Sequence, residues 1–349
     1  MSAKVRLTAF SHGAGCACKL GPADLGTVLG QLGVARMPEE VLVSAETGAD
    51  AAAWRLSDGR ALIATVDVFT PIVDDAYDWG RIAATNAFSD VYAMGGVPAF
   101  ALNVAGWPVD ELPLDLLGRV LQGGQDVASA AGAVVAGGHT ITATEPIYGM
   151  VAVGFADADG LVRNSTAMPG QRLILTKPIG TGLIATAIKR GSATGEQVEV
   201  AVGTMTTLNA AAASAMVESG AAAATDVTGF GLLGHLRKML EASGAAALIQ
   251  AGSVPTLPGV LELAQRGIVS GGTGRNHAWL NATTDWGALT PPEQLVLADA
   301  QTSGGLLVAT WDPDALKAAL DARGVPHADV GEVVDGTSGE IVVLGRLSL

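Results

Sequence analysis

Short apolar runs, each closed by glycine, aspartate or proline, alternate along this chain with segments of helical spacing. That alternation constrains the fold more than any other feature. A strand needs only a few apolar residues, whereas a membrane helix needs about 18 or more without charge. No such run occurs, so no membrane span is expected, although mean hydropathy is +0.39. Strands are expected over 61–68, 99–104, 133–136 and 149–155. A helix is expected over 78–94, with Asp78 as its N-cap and Gly95-Gly96 as its stop. Another is expected over 114–131, weakened by Gly123-Gly124. The polar, turn-rich stretch 156–170 marks a joint. Beyond it, strands are expected over 172–176, 246–250, 305–309, 331–334 and 341–344, and helices over 182–190, 196–219 (one or a pair), 232–242, 257–266 and 313–323. The pattern predicts an α/β (α+β) fold in two domains, 1–156 and 170–349, the division that 349 residues suggest.

The start of the chain is different. Residues 7–21 (LTAFSHGAGCACKLG) have neither helical nor strand periodicity and read as a mobile Gly-rich loop, with a helix expected over 22–32. The first ten residues carry Lys4 and Arg6 without an apolar core, so no signal peptide is expected and the cytoplasm is the default location. Only two cysteines occur, Cys16 and Cys18. One intervening residue makes a mutual disulfide strained, and free thiols are expected. Adding His12 gives three candidate ligands, one short of a structural zinc site. Lys19 beside these thiols would stabilise a thiolate.

Charge narrows the partners. The formal net charge is −14. Such a surface repels a nucleic-acid backbone. It does not exclude ATP, because carboxylates recruit Mg²⁺ and Mg²⁺ neutralises phosphates. Several aspartates stand where a carboxylate is costly unless it is engaged. Asp67 interrupts an apolar strand run. Asn86 and Asp90, four residues apart, share one face of a largely apolar helix. Asp50 follows the turn Thr47-Gly48-Ala49, and Asp226 directly precedes a helix. Two of them have a plainer account, a helix cap for Asp226 and a salt bridge for Asp67. Glycine-rich turns are expected at 136–140, containing Gly138-His139-Thr140, and at 301–305; exposed N–H groups there suit phosphates, or simply make turns. No Walker motif and no kinase-type glycine loop occurs.

Taken together, these segments resemble selenophosphate synthetase (selenide, water dikinase). The resemblance is carried by SHGAGCACK over 11–19, DVFTPIVD over 67–74, WGRIAATNAFSDVYAMGG over 79–96, AGGHT over 136–140, NST over 164–166, LTKP over 175–178, TDVTGFGLLGH over 225–235 and QTSGGL over 301–306. It implies the two-domain fold of aminoimidazole ribonucleotide synthetase and thiamine monophosphate kinase, and a homodimer whose N-terminal sheets pair. It implies conversion of ATP, selenide and water to selenophosphate, AMP and phosphate, with Mg²⁺. By position, Cys16 and Lys19 correspond to catalytic residues. Asp50, Asp90 and Asp226 correspond to Mg²⁺ ligands. Thr47, Gly48, Ala49, Asp67, Gly138, His139 and Thr140 correspond to the nucleotide site, with Lys19 and Asp90 contributing. Two alternatives stay open at this level: another enzyme on the same fold, which would make ADP, and a carrier that binds selenium or metal without ATP.

Overall fold

The computed structural model describes residues 5–13, 15, 27–28, 30–31, 37–44 and 49–348. Apolar alternation in the first half builds a six-stranded sheet from β1 (Val41–Val43), β2 (Ala52–Arg55), β3 (Arg60–Phe69), β4 (Val97–Trp107), β5 (Val134–Thr142) and β6 (Ile147–Asp157), in the order β1-β2-β3-β6-β4-β5. Neighbours run antiparallel except β4 and β5, which are parallel. Helices α1 (Ala76–Ala93) and α2 (Leu114–Ala130) pack on this sheet and on each other.

Two expectations about these helices are corrected. The N-cap of α1 is Asp75, whose carboxylate accepts from the N–H groups of Tyr77 and Asp78; Asp78 lies in the first turn and holds Arg81 at 2.6 Å. Helix α2 runs unbroken through Gly123-Gly124. The glycines are required by contact: a Cβ at Gly123 would stand 2.2 Å from the Tyr77 carbonyl oxygen, and one at Gly80 would stand 2.0 Å from that of Val120. Close approach of α1 and α2 outweighs the low helix propensity of glycine. Trp79, fully buried, fills the space beneath and stacks on Trp107 at 6.4 Å.

The second half forms a seven-stranded sheet from β7 (Arg172–Leu175), β8 (Ala223–Asp226), β9 (Ala246–Gln250), β10 (Thr284–Asp285), β11 (Leu306–Thr310), β12 (Ala328–Val334) and β13 (Ile341–Leu344), in the order β10-β13-β9-β12-β7-β11-β8. Its helices are α3 (Thr181–Lys189), α4 (Gly195–Thr206), α5 (Ala210–Glu218), α6 (Gly231–Ser243), α7 (Val260–Gln265), α8 (Gly271–Leu280), α9 (Pro291–Leu297) and α10 (Pro313–Asp321). The alanine-rich stretch 196–219 is a pair bent by 48°. Asn209 sits at the bend because its side chain bonds elsewhere, to Ser89 Oγ at 2.8 Å and the Gly304 carbonyl at 2.9 Å. Among the described residues no single helix is long and apolar enough to cross a membrane.

Helix α1 joins the halves. One side rests on β3 and β6, the other on α4, α5 and β8, which explains why even Asn86, Ser89 and Asp90 are buried. The chain start adds a second clamp. Leu7–Phe10 is a short 3-10 helix with Leu7 and Thr8 buried, not loop as the sequence suggested. Arg6 pairs with Asp74 at 3.0 Å and donates to the carbonyls of Ile188 and Lys189 at the end of α3. The helix expected over 22–32 lies largely outside the described residues.

Candidate active site

Strand β3 and helix α1 bring the first carboxylates together. Thr65 and Asp67 are two apart on a strand and so face the same side. Thr65 Oγ1 donates to Asp90 at 2.5 Å, and Asn86 Nδ2 donates to Asp67. From the second half, Thr225 at the end of β8 donates to Asp50 at 2.9 Å. The result is a cavity of about 170 Å³ at the joint, lined by Asp50, Asp67, Asp90, Phe230, His235 and Lys238 among others. Ala49 also lines it. That volume is below the range of about 300–1,000 Å³ for whole small-molecule pockets. It suits a charged end of a ligand with its cations.

Electrostatics mark the cluster. Burial, and then the charges of Asp226, Asp67 and Asp50, push the Asp90 pKa well above the ordinary carboxylate value. Asp226 is buried at the end of β8, and its charge acts on Asp90. Four carboxylates in mutual repulsion are the hard oxygen donor set that Mg²⁺ takes. Among the described residues no three His, Cys, Asp or Glu side chains already stand in geometry to hold one metal ion. The chemistry of the donors fits the ion.

Basic and aromatic groups border the acids. Lys238 reaches over the Phe230 ring at 5.2 Å. His235 is held between Thr225 and Thr228, with Nε2 at 3.1 Å from Thr228 Oγ1. Sequence reasoning assigned no role to His235, Lys238, Phe230, Thr65 or Thr225. Some signals were there: Thr65 two residues before Asp67, and Lys238 three residues after His235 on one helix face.

The loop base is fixed at several points. Lys189 donates to the carbonyls of Ser11 at 2.6 Å and Gly13 at 2.9 Å, and His12 pairs with Glu145 at 2.7 Å. Gly15, at φ +56°, lodges against Ile72 and Thr302. Cys16, Cys18, Lys19, Thr47 and Gly48 lie outside the described residues.

One expected group is not brought to the cavity. Gly138, His139 and Thr140 do not form a turn; they belong to β5, on the exposed edge of the first sheet. Glycine stands at 138 because β4 comes close: a Cβ there would lie 2.3 Å from the Asn103 carbonyl. Asp67, Met150, Asn103 and Gly138 are successive partners across the sheet. Three strand spacings, roughly 14 Å, separate the first from the last.

With this geometry in place, comparison with known proteins is informative. Residues 48–156 match the family model for the AIR synthase related protein, N-terminal domain, and residues 168–344 match that for its C-terminal domain. A selenide, water dikinase of Myxococcus xanthus is 47% identical over 343 residues, covering 97% of each chain. One of Dechloromonas aromatica is 44% identical over 345 residues, covering 97% of this chain and 99% of its own. Among solved structures, a thiamine monophosphate kinase from Aquifex aeolicus superposes with a TM-score of 0.64 at 18% identity, covering 94% of this chain and 97% of its own. At that identity the likeness concerns fold alone.

Proposed function

The chain belongs to the selenide, water dikinase family of ATP-dependent enzymes, and on that premise we propose that the acid-lined cavity receives the triphosphate of ATP, so that the γ-phosphoryl group passes to selenide and water then cleaves the β-phosphate as orthophosphate, leaving AMP as the nucleotide product. The observation that carries this reading is the convergence of Asp50, Asp67 and Asp90 of the first half on one cavity that Phe230, His235 and Lys238 of the second half close, with the charge of Asp226 acting on Asp90. Asp50, Asp90 and Asp226 would hold Mg²⁺. When bound, Mg²⁺ neutralises phosphate charge and orients the transferring group.

The chain's own groups have separable tasks in this scheme. Asp67, tied to Asn86, and the Thr47-Gly48-Ala49 turn border the nucleotide. Lys19 offsets charge developing on the phosphoryl oxygens, which is where electrostatic stabilisation counts most. Cys16, as thiolate, holds or guides selenium. Beyond the 3-10 helix, the segment that carries Cys16 and Lys19 would cover the reacting groups and exclude water. The N-terminal half, 1–156, carries ATP and Mg²⁺ and pairs with a second copy; 170–349 forms the other domain. Exposed Val134 and Ile141 on β5 support pairing at that edge. Pairing there would also deliver Gly138, His139 and Thr140 to the partner's nucleotide.

The test is anaerobic incubation with ATP, Mg²⁺ and selenide followed by ³¹P NMR. A selenide-dependent phosphorus signal with one AMP per turnover is expected, and Cys16→Ala and Lys19→Ala should abolish it. ADP as product, or no dependence on selenide, would overturn the assignment.

A further inference from the structure

Lys177 follows β7 and is only 7% exposed, yet it has no place in the scheme above. Among the described residues it forms no ion pair. Its Nζ instead donates to two backbone carbonyls, Thr207 at 2.6 Å and Ser303 at 3.0 Å. Burial pushes its pKa down to about 7, with the charge of Asp226 opposing the shift. A buried ammonium is costly, and a methionine of similar length would pack there at lower cost. The position therefore asks for what methionine lacks, donors that draw two carbonyls together.

Ser303 is the unusual partner. Among the described residues it is the one non-glycine residue in the left-handed region, at φ +51°, and it is fully buried. Such a conformation persists only where surrounding bonds impose it. Its carbonyl is held by Lys177, and its N–H donates to Asn86 Oδ1 at 2.8 Å. The Asn86 amide then donates to the Asp67 carboxylate. Asn209 grips the next residue, Gly304, and ties it to Ser89 on α1. A continuous, buried series of hydrogen bonds thus runs from the second sheet, through a strained turn, across the joint and into the cavity. We propose that Lys177 is a positioning residue, which holds Ser303 in its left-handed conformation and through Ser303 and Asn86 orients Asp67 for the nucleotide.

This inference rests on the reading of Asp67 as part of the nucleotide site. The test measures kcat, the KM for ATP and calorimetric binding of Mg²⁺-ATP in Lys177→Met, Asn86→Ala, their double variant and Asp67→Asn, with thermal midpoints alongside. Lys177→Met and Asn86→Ala should each raise the ATP KM about tenfold, and the double variant should be no more than about twofold worse than either. Lys177→Arg, which keeps charge and donors, should stay within about threefold of the parent. Should Lys177→Met not fold, Lys177→Gln takes its place under the same readouts. Independent, multiplying losses in the double variant would overturn the proposal. So would a Lys177 variant that melts earlier but binds ATP normally while Asp67→Asn binds it poorly. Normal ATP binding by Asp67→Asn would instead remove the nucleotide-site reading, and the inference with it.

Discussion

At the scale of single residues, a carboxylate surrounded by carboxylates dominates the chemistry. Asp90 holds its proton more tightly in the fold than in the unfolded chain, through burial first and then Asp226, Asp67 and Asp50. Above the ordinary carboxylate value of 3.8 the folded, metal-free protein therefore binds more protons than the unfolded chain. Its stability contribution is complete at low pH and is lost as pH rises through the raised value. A divalent cation bound as proposed would displace that proton. Calorimetric titration with Mg²⁺ or Mn²⁺ should release protons, seen as an enthalpy that varies with buffer ionisation, and apparent affinity should rise with pH. A buffer-independent enthalpy would contradict the account. Gly15 offers a second prediction at this scale. A Cβ there would meet Ile72 Cδ1 at 2.5 Å and Thr302 Oγ1 at 2.7 Å, at a positive φ that L side chains avoid. Gly15→Ala should lower kcat at least tenfold and lower the thermal midpoint as well, because backbone strain of about 1–2 kcal/mol adds to crowding against the buried Ile72 and Thr302.

At the scale of elements, contact between helices overrides intrinsic preference. Gly118 and Gly123 lie on the same helix but face different surroundings: a Cβ at 118 meets nothing within 4 Å, whereas one at 123 meets backbone. Gly118→Ala should stabilise by about 0.5–1 kcal/mol through propensity alone. Gly123→Ala should destabilise by about 1–3 kcal/mol or more, since backbone of α1 has to move. Denaturant unfolding of both variants checks the pair, and equal effects would refute the contact argument. The two unforeseen helices show the same principle in different ways. Helix α9 was legible, because Thr290-Pro-Pro-Glu293 is a capping box with proline in the first turn. Helix α8, GGTGRNHAWL, carries three glycines and little amphipathic pattern. It is held by long-range bonds from Thr273 to Asp299 at 2.8 Å and from Asn276 to the Gly229 carbonyl at 2.9 Å. No local signal announces partners 26 and 47 residues away.

At the scale of the whole molecule, the cavity exists only because two sheets meet across α1. A second meeting is expected at β5, an exposed edge that also carries Val134 and Ile141 at 62% and 57% exposure. Apolar, unpaired edges are unstable in water and are normally covered. Light scattering after size exclusion should find a dimer of about twice 35.0 kDa. The double variant Val134→Lys, Ile141→Lys should shift it to monomer and lose more than tenfold in ATP turnover, through the displaced Gly138–Thr140 segment. A parent chain that is monomeric at assay concentration would remove this reading.

What the sequence determined by itself is the family, the alternating strand and helix order, and which acids to watch, because side-chain periodicity and motif spacing are local properties. Asp67 in an apolar strand and Asn86 with Asp90 on an apolar helix were conspicuous for a local reason, polar groups where burial penalises them. What only tertiary structure decided is which of these groups meet. It placed Asp50, Asp67 and Asp90 around one cavity and buried Asp226 within reach of Asp90 electrostatically. It turned a supposed phosphate turn at 136–140 into an edge strand. It also linked Lys177 to Asp67 through residues far away in the chain. The physical reason is the same throughout: a hydrogen bond or a backbone contact between distant residues is set by how sheets and helices pack, and no window of neighbouring residues contains both partners.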